Sequence, residues 1–172
     1  MSTTDPGESL VGAYLRHVEH CPIVLYNSFF AGQQGEVDVV AVKPGEKKNP
    51  RIVYLCEVTT HIRGMSAKTV GKVPAKLERL LQFAQLTFPG EDHRFQWWSP
   101  YVRQGAATRR FDALKAEWEQ KQLSLEFVIN DEYTRRISQL IDSARANTAT
   151  TNEPAYRMLQ MLTRLRGDKP VL

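Results

Sequence analysis

Two carboxylates stand inside otherwise apolar runs early in this chain. Asp38 interrupts Val37-Asp38-Val39-Val40-Ala41-Val42, and Glu57 comes near the end of Arg51-Ile52-Val53-Tyr54-Leu55-Cys56-Glu57-Val58-Thr59. Both runs read as β-strands. Side chains two residues apart share a strand face, so Asp38 lies with Val40 and Val42, and Glu57 with Val53, Leu55 and Thr59. The segment between them, Lys43-Pro44-Gly45-Glu46-Lys47-Lys48-Asn49-Pro50, is dense in breakers and charge and predicts a hairpin loop. A tip near Lys47 and Lys48 sets Asp38 opposite Glu57, and directly opposed residues have Cβ atoms about 4.5–5.5 Å apart. A slip of one residue would separate them. A single acidic residue in a strand usually faces solvent, but two on facing positions of apolar strands repel and lose hydration together. A hard divalent cation with oxygen ligands is the economical compensation.

The elements that must position this pair follow from pattern. Asp5-Pro6-Gly7-Glu8 predicts a helix start, with Asp5 as cap, Pro6 in the first turn and Glu8 at the capping-box position. Val11, Leu15 and Val18 give that helix one apolar face, and Glu8 falls at its N-terminal end. Capping accounts for a glutamate there as well as a metal-site role does, and both can hold. Ile23-Val24-Leu25-Tyr26 predicts a first strand, followed by Phe29-Phe30 and a polar turn over Gly32-Gln33-Gln34-Gly35. The strand ending at Thr59 is apolar on both faces, as a central strand is. After a loop, a helix opening at Pro74 carries Leu77, Leu80, Leu81 and Ala84 on its core face. Strands over 94–98 and 123–129 and helices over 109–119, 132–146 and 155–165 complete the order αβββαβαβαα. That order predicts an α/β fold, a mixed sheet of about five strands flanked by helices. Residues 1–146 form the main domain; 147–172 hold a polar linker and a C-terminal helix, part of the same domain or an appendage to it.

The first helix, Gly35-Glu36-Val37-Asp38 entering the second strand, and Glu57-Val58-Thr59 ending the third resemble the PD-(D/E)XK nucleases, in their restriction-endonuclease-like and Holliday-junction-resolvase-like branch. The resemblance covers roughly the first half of the chain, and its order, spacing and structural placement agree. It implies Asp38 and Glu57 as ligands of Mg²⁺ or Mn²⁺, joined by the Val58 carbonyl, with Glu8 orienting a metal-bound water or binding a second ion. It implies phosphodiester hydrolysis, in which the cation polarises the phosphate and activates water.

One position departs from the family pattern. The lysine two residues after the glutamate is here Thr59, which carries no charge. Some members of the superfamily supply the basic group from the following helix, where Lys76 is the first candidate and Lys72 the second. The alternative is a catalytically inactive module that binds nucleic acid or serves as a structural subunit. A third reading is an RNA-processing nuclease.

Weaker signals sit around this core. His61 is two residues beyond Thr59 and is a candidate substrate contact. Arg103, Arg109 and Arg110, with Lys115, form a basic stretch that can follow a phosphate backbone or simply be a solvated helix face. Of the adjacent Trp97 and Trp98, alternation predicts one in the core and one on the outer face, where packing against a helix is favoured over base stacking. The last helix is greasy along Tyr156, Leu159 and Leu162, with Met158, Met161 and Leu165 adding apolar surface; it can close its own core or, the preferred reading, make a homodimer contact, since cutting two strands usually takes two sites. Composition agrees: 172 residues, 42% hydrophobic, suffice for a single core, and a net charge of +4 permits DNA as partner without requiring it. Cys21 and Cys56 form no metal-spacing motif and read as small buried side chains. The Met1-Ser2-Thr3-Thr4-Asp5 start lacks a signal-peptide pattern, and no apolar run reaches about 20 residues, so a cytoplasmic protein is expected.

Overall fold

The computed structural model describes residues 4–29, 35–45, 49–61 and 63–165. The expected turn over Gly32–Gln34 and the hairpin tip at Lys47 and Lys48 lie outside the described residues. Helix α1 (Pro6–His17) is closed by a capping box: Asp5 accepts from the Gly7 N–H at 2.8 Å, and Glu8 accepts from the Asp5 N–H at 3.1 Å. Strands β1 (Ile23–Phe29), β2 (Glu36–Lys43) and β3 (Ile52–Val58) form an antiparallel meander. A short helix α2 (Ala67–Val70) and the longer α3 (Val73–Thr87) lead to β4 (Asp92–Ser99). Helix α4 (Ala106–Gln120), β5 (Ser124–Ile129), α5 (Asp131–Ala146) and α6 (Pro154–Leu165) follow. The fold is α/β, with the predicted element order plus α2.

The sheet order is β1-β2-β3-β4-β5, with β3, β4 and β5 parallel to one another. β3 is thus central, as its two apolar faces require. On one face Val40, Leu55, Phe95 and Trp97 pack with Leu77 and Leu80 of α3 and with Phe111 and Trp118 of α4. On the other, Val39, Cys56 and Trp98 pack with Val11 and Leu15 of α1, Leu140 of α5 and Tyr156 of α6. Helices therefore cover β4 on both sides, so the outer tryptophan is not exposed but packs against a helix, as the favoured alternative has it: Trp97 is 2% and Trp98 0% exposed.

Helix α6 is bound to the rest by polar contacts as well as by Tyr156. The Tyr156 ring stacks on His17 at 3.6 Å, and Gln160 Nε2 donates to the carbonyls of Asn147 at 2.8 Å and Ala149 at 3.0 Å. Its outer side leaves Met158, Met161, Leu162 and Leu165 exposed. Cys21 and Cys56 are buried free thiols. Among the described residues no helix is long and apolar enough to cross a membrane.

Leu77 is fully buried between α3 and the sheet, one residue after Lys76. Leu77→Ala should lower unfolding free energy by about 2–5 kcal/mol, read from urea denaturation.

Candidate active site

The β2–β3 register pairs Val39 with Cys56 and Val40 with Leu55, so its next step brings Asp38 opposite Glu57. Both point to the face that α3 covers. Asp38 is 8% exposed and Glu57 1%. Two anions are therefore withdrawn from water side by side, and each needs compensation. Asp38 Oδ2 accepts from the Val58 N–H at 2.7 Å. Glu57 Oε2 accepts from Lys76 Nζ at 2.5 Å. The Lys76 ammonium also lies 5.6 Å from the centre of the Trp97 ring, which the β3–β4 register sets beside Glu57. An aromatic face attracts a cation, so Trp97 is a floor that steers Lys76 toward the carboxylate.

The compensation is incomplete. Burial and the Asp38 charge push Glu57 up to about 7, against the opposing pull of Lys76 and Arg79. Burial also raises Asp38, offset in part by the Val58 N–H and by Lys76. Shifts of this origin are found at functional sites and also in structural ion-pair networks.

Glu8 approaches from the helix on the other sheet face. Gly7 lets α1 come close to the end of β3, because a Cβ there would lie 2.1 Å from Thr60 Cγ2. Glu8 completes the capping box, and its pKa is raised by burial, opposed by the Asp5 N–H, with the Asp38 charge adding to the rise. The cap is thus an observed contact of Glu8, whereas its link to Asp38 is electrostatic. Among the described residues no group of three or more His, Cys, Asp or Glu side chains lies close enough to hold a metal ion. A cation here would rest on two carboxylates, main-chain oxygen and water. That set suits Mg²⁺, which is commonly held by one or two carboxylates and keeps several waters.

The remaining predicted positions divide into two groups. Thr59 is half-buried at the end of β3, its N–H donating to the Trp98 carbonyl at 2.9 Å. Lys72 is exposed at the N-cap of α3 and makes no side-chain capping bond. His61, Arg103, Arg109 and Arg110 are exposed and do not touch the carboxylates. Arg103 donates to the Arg63 carbonyl at 3.4 Å, Arg110 donates to the Ala67 carbonyl, and Met65 bridges Val102. These contacts join the segments that follow β3 and β4. Neither 58–77 nor 93–111 contains an acidic residue.

Two residues near the site escaped sequence reasoning. Local pattern marks Trp97 only as one of two alternating strand positions, and it does not single out Arg79. The available signal for Arg79 was its spacing, three residues after Lys76 on the same helix, which places both on one side.

No family model and no curated protein matches the sequence. Two solved structures are similar to it. Over 95% of this chain the likeness is to the MspJI restriction endonuclease in complex with a 27-mer oligonucleotide, at 12% identity and a TM-score of 0.42. Over 96% it is to the Acinetobacter baumannii Cap4 SAVED/CARF-domain containing receptor, at 8% identity and a TM-score of 0.44. This chain spans 32% of the first and 42% of the second. At these values neither likeness assigns an activity, and the chemistry has to be read from the site.

The raised Glu57 pKa has a consequence for stability. Unfolded, Glu57 returns to its ordinary value of 4.5, against about 7 when folded. Between those values the folded chain binds a proton that the unfolded chain releases, so this stabilisation is full below the lower value and is lost as pH rises through the upper. In chelator, wild-type unfolding free energy should fall between about pH 5 and pH 8 more steeply than that of Glu57→Gln. Parallel urea-derived curves for the two proteins would refute the assignment.

Proposed function

We propose that this chain is a metal-dependent nuclease that hydrolyses phosphodiester bonds in DNA, on a PD-(D/E)XK pattern with Lys76 in the role of the missing lysine. One observation carries the reading: two buried carboxylates face each other across the β2–β3 ladder with an ammonium on one of them. In this reading Asp38 and Glu57 hold Mg²⁺ or Mn²⁺ together with the Val58 carbonyl. Glu8 orients water or assists a second ion. The bound cation would supply Lewis acidity toward the phosphoryl oxygen and acidify water.

The chain's own residues supply the rest. The Val58 N–H keeps one oxygen of Asp38 occupied, which fixes the carboxylate's orientation. Lys76, seated on Trp97, brings a positive charge to where negative charge develops on the phosphate. Thr59 offers a hydroxyl at the strand end, a hydrogen-bonding group but no charge. Lys72, His61, Arg103, Arg109 and Arg110 contact the nucleic-acid backbone from the acid-free segments after β3 and β4. The exposed apolar side of α6 fits a second copy, which a double-strand cut would use. A cytoplasmic setting, where DNA and Mg²⁺ are both at hand, suits the reading.

Thr59 favours a second reading, a catalytically inactive nucleic-acid-binding or structural subunit, and cleavage assays separate the two. With Mg²⁺ or Mn²⁺ the wild type should nick or cut plasmid DNA, and Asp38→Ala or Glu57→Ala should abolish cutting with the circular dichroism spectrum unchanged. Metal-independent binding without cutting on varied DNA substrates would favour the inactive subunit; cleavage of RNA alone would favour an RNA-processing nuclease.

The lysine has its own test. Lys76→Ala should slow cutting by about a hundredfold or more, as expected when a charge acting in a water-poor site is removed. Mn²⁺ affinity, measured by calorimetry, should stay near that of the wild type, with Lys72→Ala the milder change in rate. Cutting at the wild-type rate by Lys76→Ala would return the role to Lys72 or to no lysine.

A further inference from the structure

Arg79 stands one turn beyond Lys76 on α3, so the two side chains leave the same side of the helix. Lys76 is engaged with Glu57. Arg79 is exposed and makes no hydrogen bond or ion pair among the described residues. Its position is nonetheless defined, because it lies along the backbone of Gly35. A Cβ on Gly35 would fall 2.8 Å from Arg79 Nη1, 3.3 Å from Cζ and 3.6 Å from Cδ. Gly35 has φ +129°, a conformation that side-chain-bearing residues rarely adopt, and it comes three residues before Asp38. The guanidinium therefore rests at the entrance to β2, within electrostatic reach of the carboxylate pair, with no donor engaged among the described residues. Its charge reaches Asp38 and Glu57 and favours their ionised forms.

We propose that Arg79 is a substrate-binding residue that grips a backbone phosphate next to the bond under attack. The inference rests on the nuclease reading above and adds to it the group that draws the polyanion to an acidic centre. Asp38, Glu57, Glu8 and Glu36 gather at this end of the sheet and would repel a phosphate. A planar guanidinium with five donors matches phosphate oxygens two at a time, which a lysine ammonium does not. The bare backbone of Gly35 lets the fork lie flat at the mouth, and a phosphate held there continues toward the acid-free segments after β3 and β4.

The experiment measures affinity and rate separately. Binding of a short fluorescent DNA duplex is followed by anisotropy in EDTA over a series of KCl concentrations. The single-turnover cleavage rate is then measured at saturating duplex with Mn²⁺. Arg79→Ala should bind about tenfold more weakly, with the slope of log affinity against log salt reduced by about one phosphate contact. Arg79→Lys should recover the slope but only part of the affinity, a split that loss of a merely structural side chain would not give. Arg145→Ala, on the exposed side of α5, serves as a charge control and should match the wild type in both assays. Wild-type affinity and slope in Arg79→Ala would overturn the assignment while leaving the nuclease reading intact. A wild type that neither binds nor cuts nucleic acid would overturn both.

Discussion

Two like charges buried on one sheet face constrain the arrangement of everything near them. Asp38 and Glu57 sit where hydrophobic side chains would pack without cost, and a carboxylate out of water is tolerated only with donors or cations at hand. Each donor comes from a different level of the fold. The Val58 N–H, at the strand end, turns toward Asp38. Lys76 comes from the helix laid over that face. Trp97, which fixes where Lys76 points, comes from the neighbouring parallel strand. The hairpin register, the β3–β4 register and the docking of α3 must all be right for the pair to exist. Packing of Leu77 and Leu80 into the sheet holds α3 in the one orientation that brings Lys76 to Glu57.

Much of this was legible because it depends on local periodicity. The alternation in Val37–Val42 and the breaker-rich loop centred near Lys47 gave the register that faces Asp38 to Glu57, and the mixed sheet followed from the element order. Helix α2 was not legible, since four residues ending at Gly71 carry too little of a helical repeat to be distinguished from a loop. Full burial of both tryptophans lies outside the local pattern for a related reason: alternation tells which residues share a face but not how many faces the fold covers. Burial of Trp97 and Trp98 depends on α3 and α4 on one side and α1, α5 and α6 on the other, which no local pattern encodes. Arg79 was missed because its distinguishing contact is with Gly35, far away in sequence, and an arginine on an amphipathic helix ordinarily signals only solvent.

Glu8 is a cap whose carboxylate also feels the charge of Asp38. Its bond to the Asp5 N–H closes the capping box and sets where α1 begins. The same bond limits the swing of its side chain, so the carboxylate stays at the end of α1 that Gly7 allows close to β3. Capping fully accounts for the presence of the group, and the proposed role at the site would use the orientation that the cap gives it.

In the proposed reading a helix position supplies the charge that the family pattern places on the strand, and this has a physical consequence. A lysine at Thr59 would be fixed by the backbone of β3, at a distance from Glu57 set by the pleat of one strand. A lysine on α3 is fixed instead by tertiary packing, and it sits in the first turn of the helix, where the macrodipole disfavours a cation by about 0.3–1 kcal/mol. What offsets this is the Glu57 carboxylate together with the Trp97 face, so Lys76 is held only while both are in place. The ammonium, Glu57 and Trp97 therefore behave as one unit, assembled across β3, α3 and β4. The main-chain N–H of Thr59 donates to the Trp98 carbonyl whatever side chain stands there, which extends the β3–β4 pairing past Val58 and stiffens the strand end that carries Glu57.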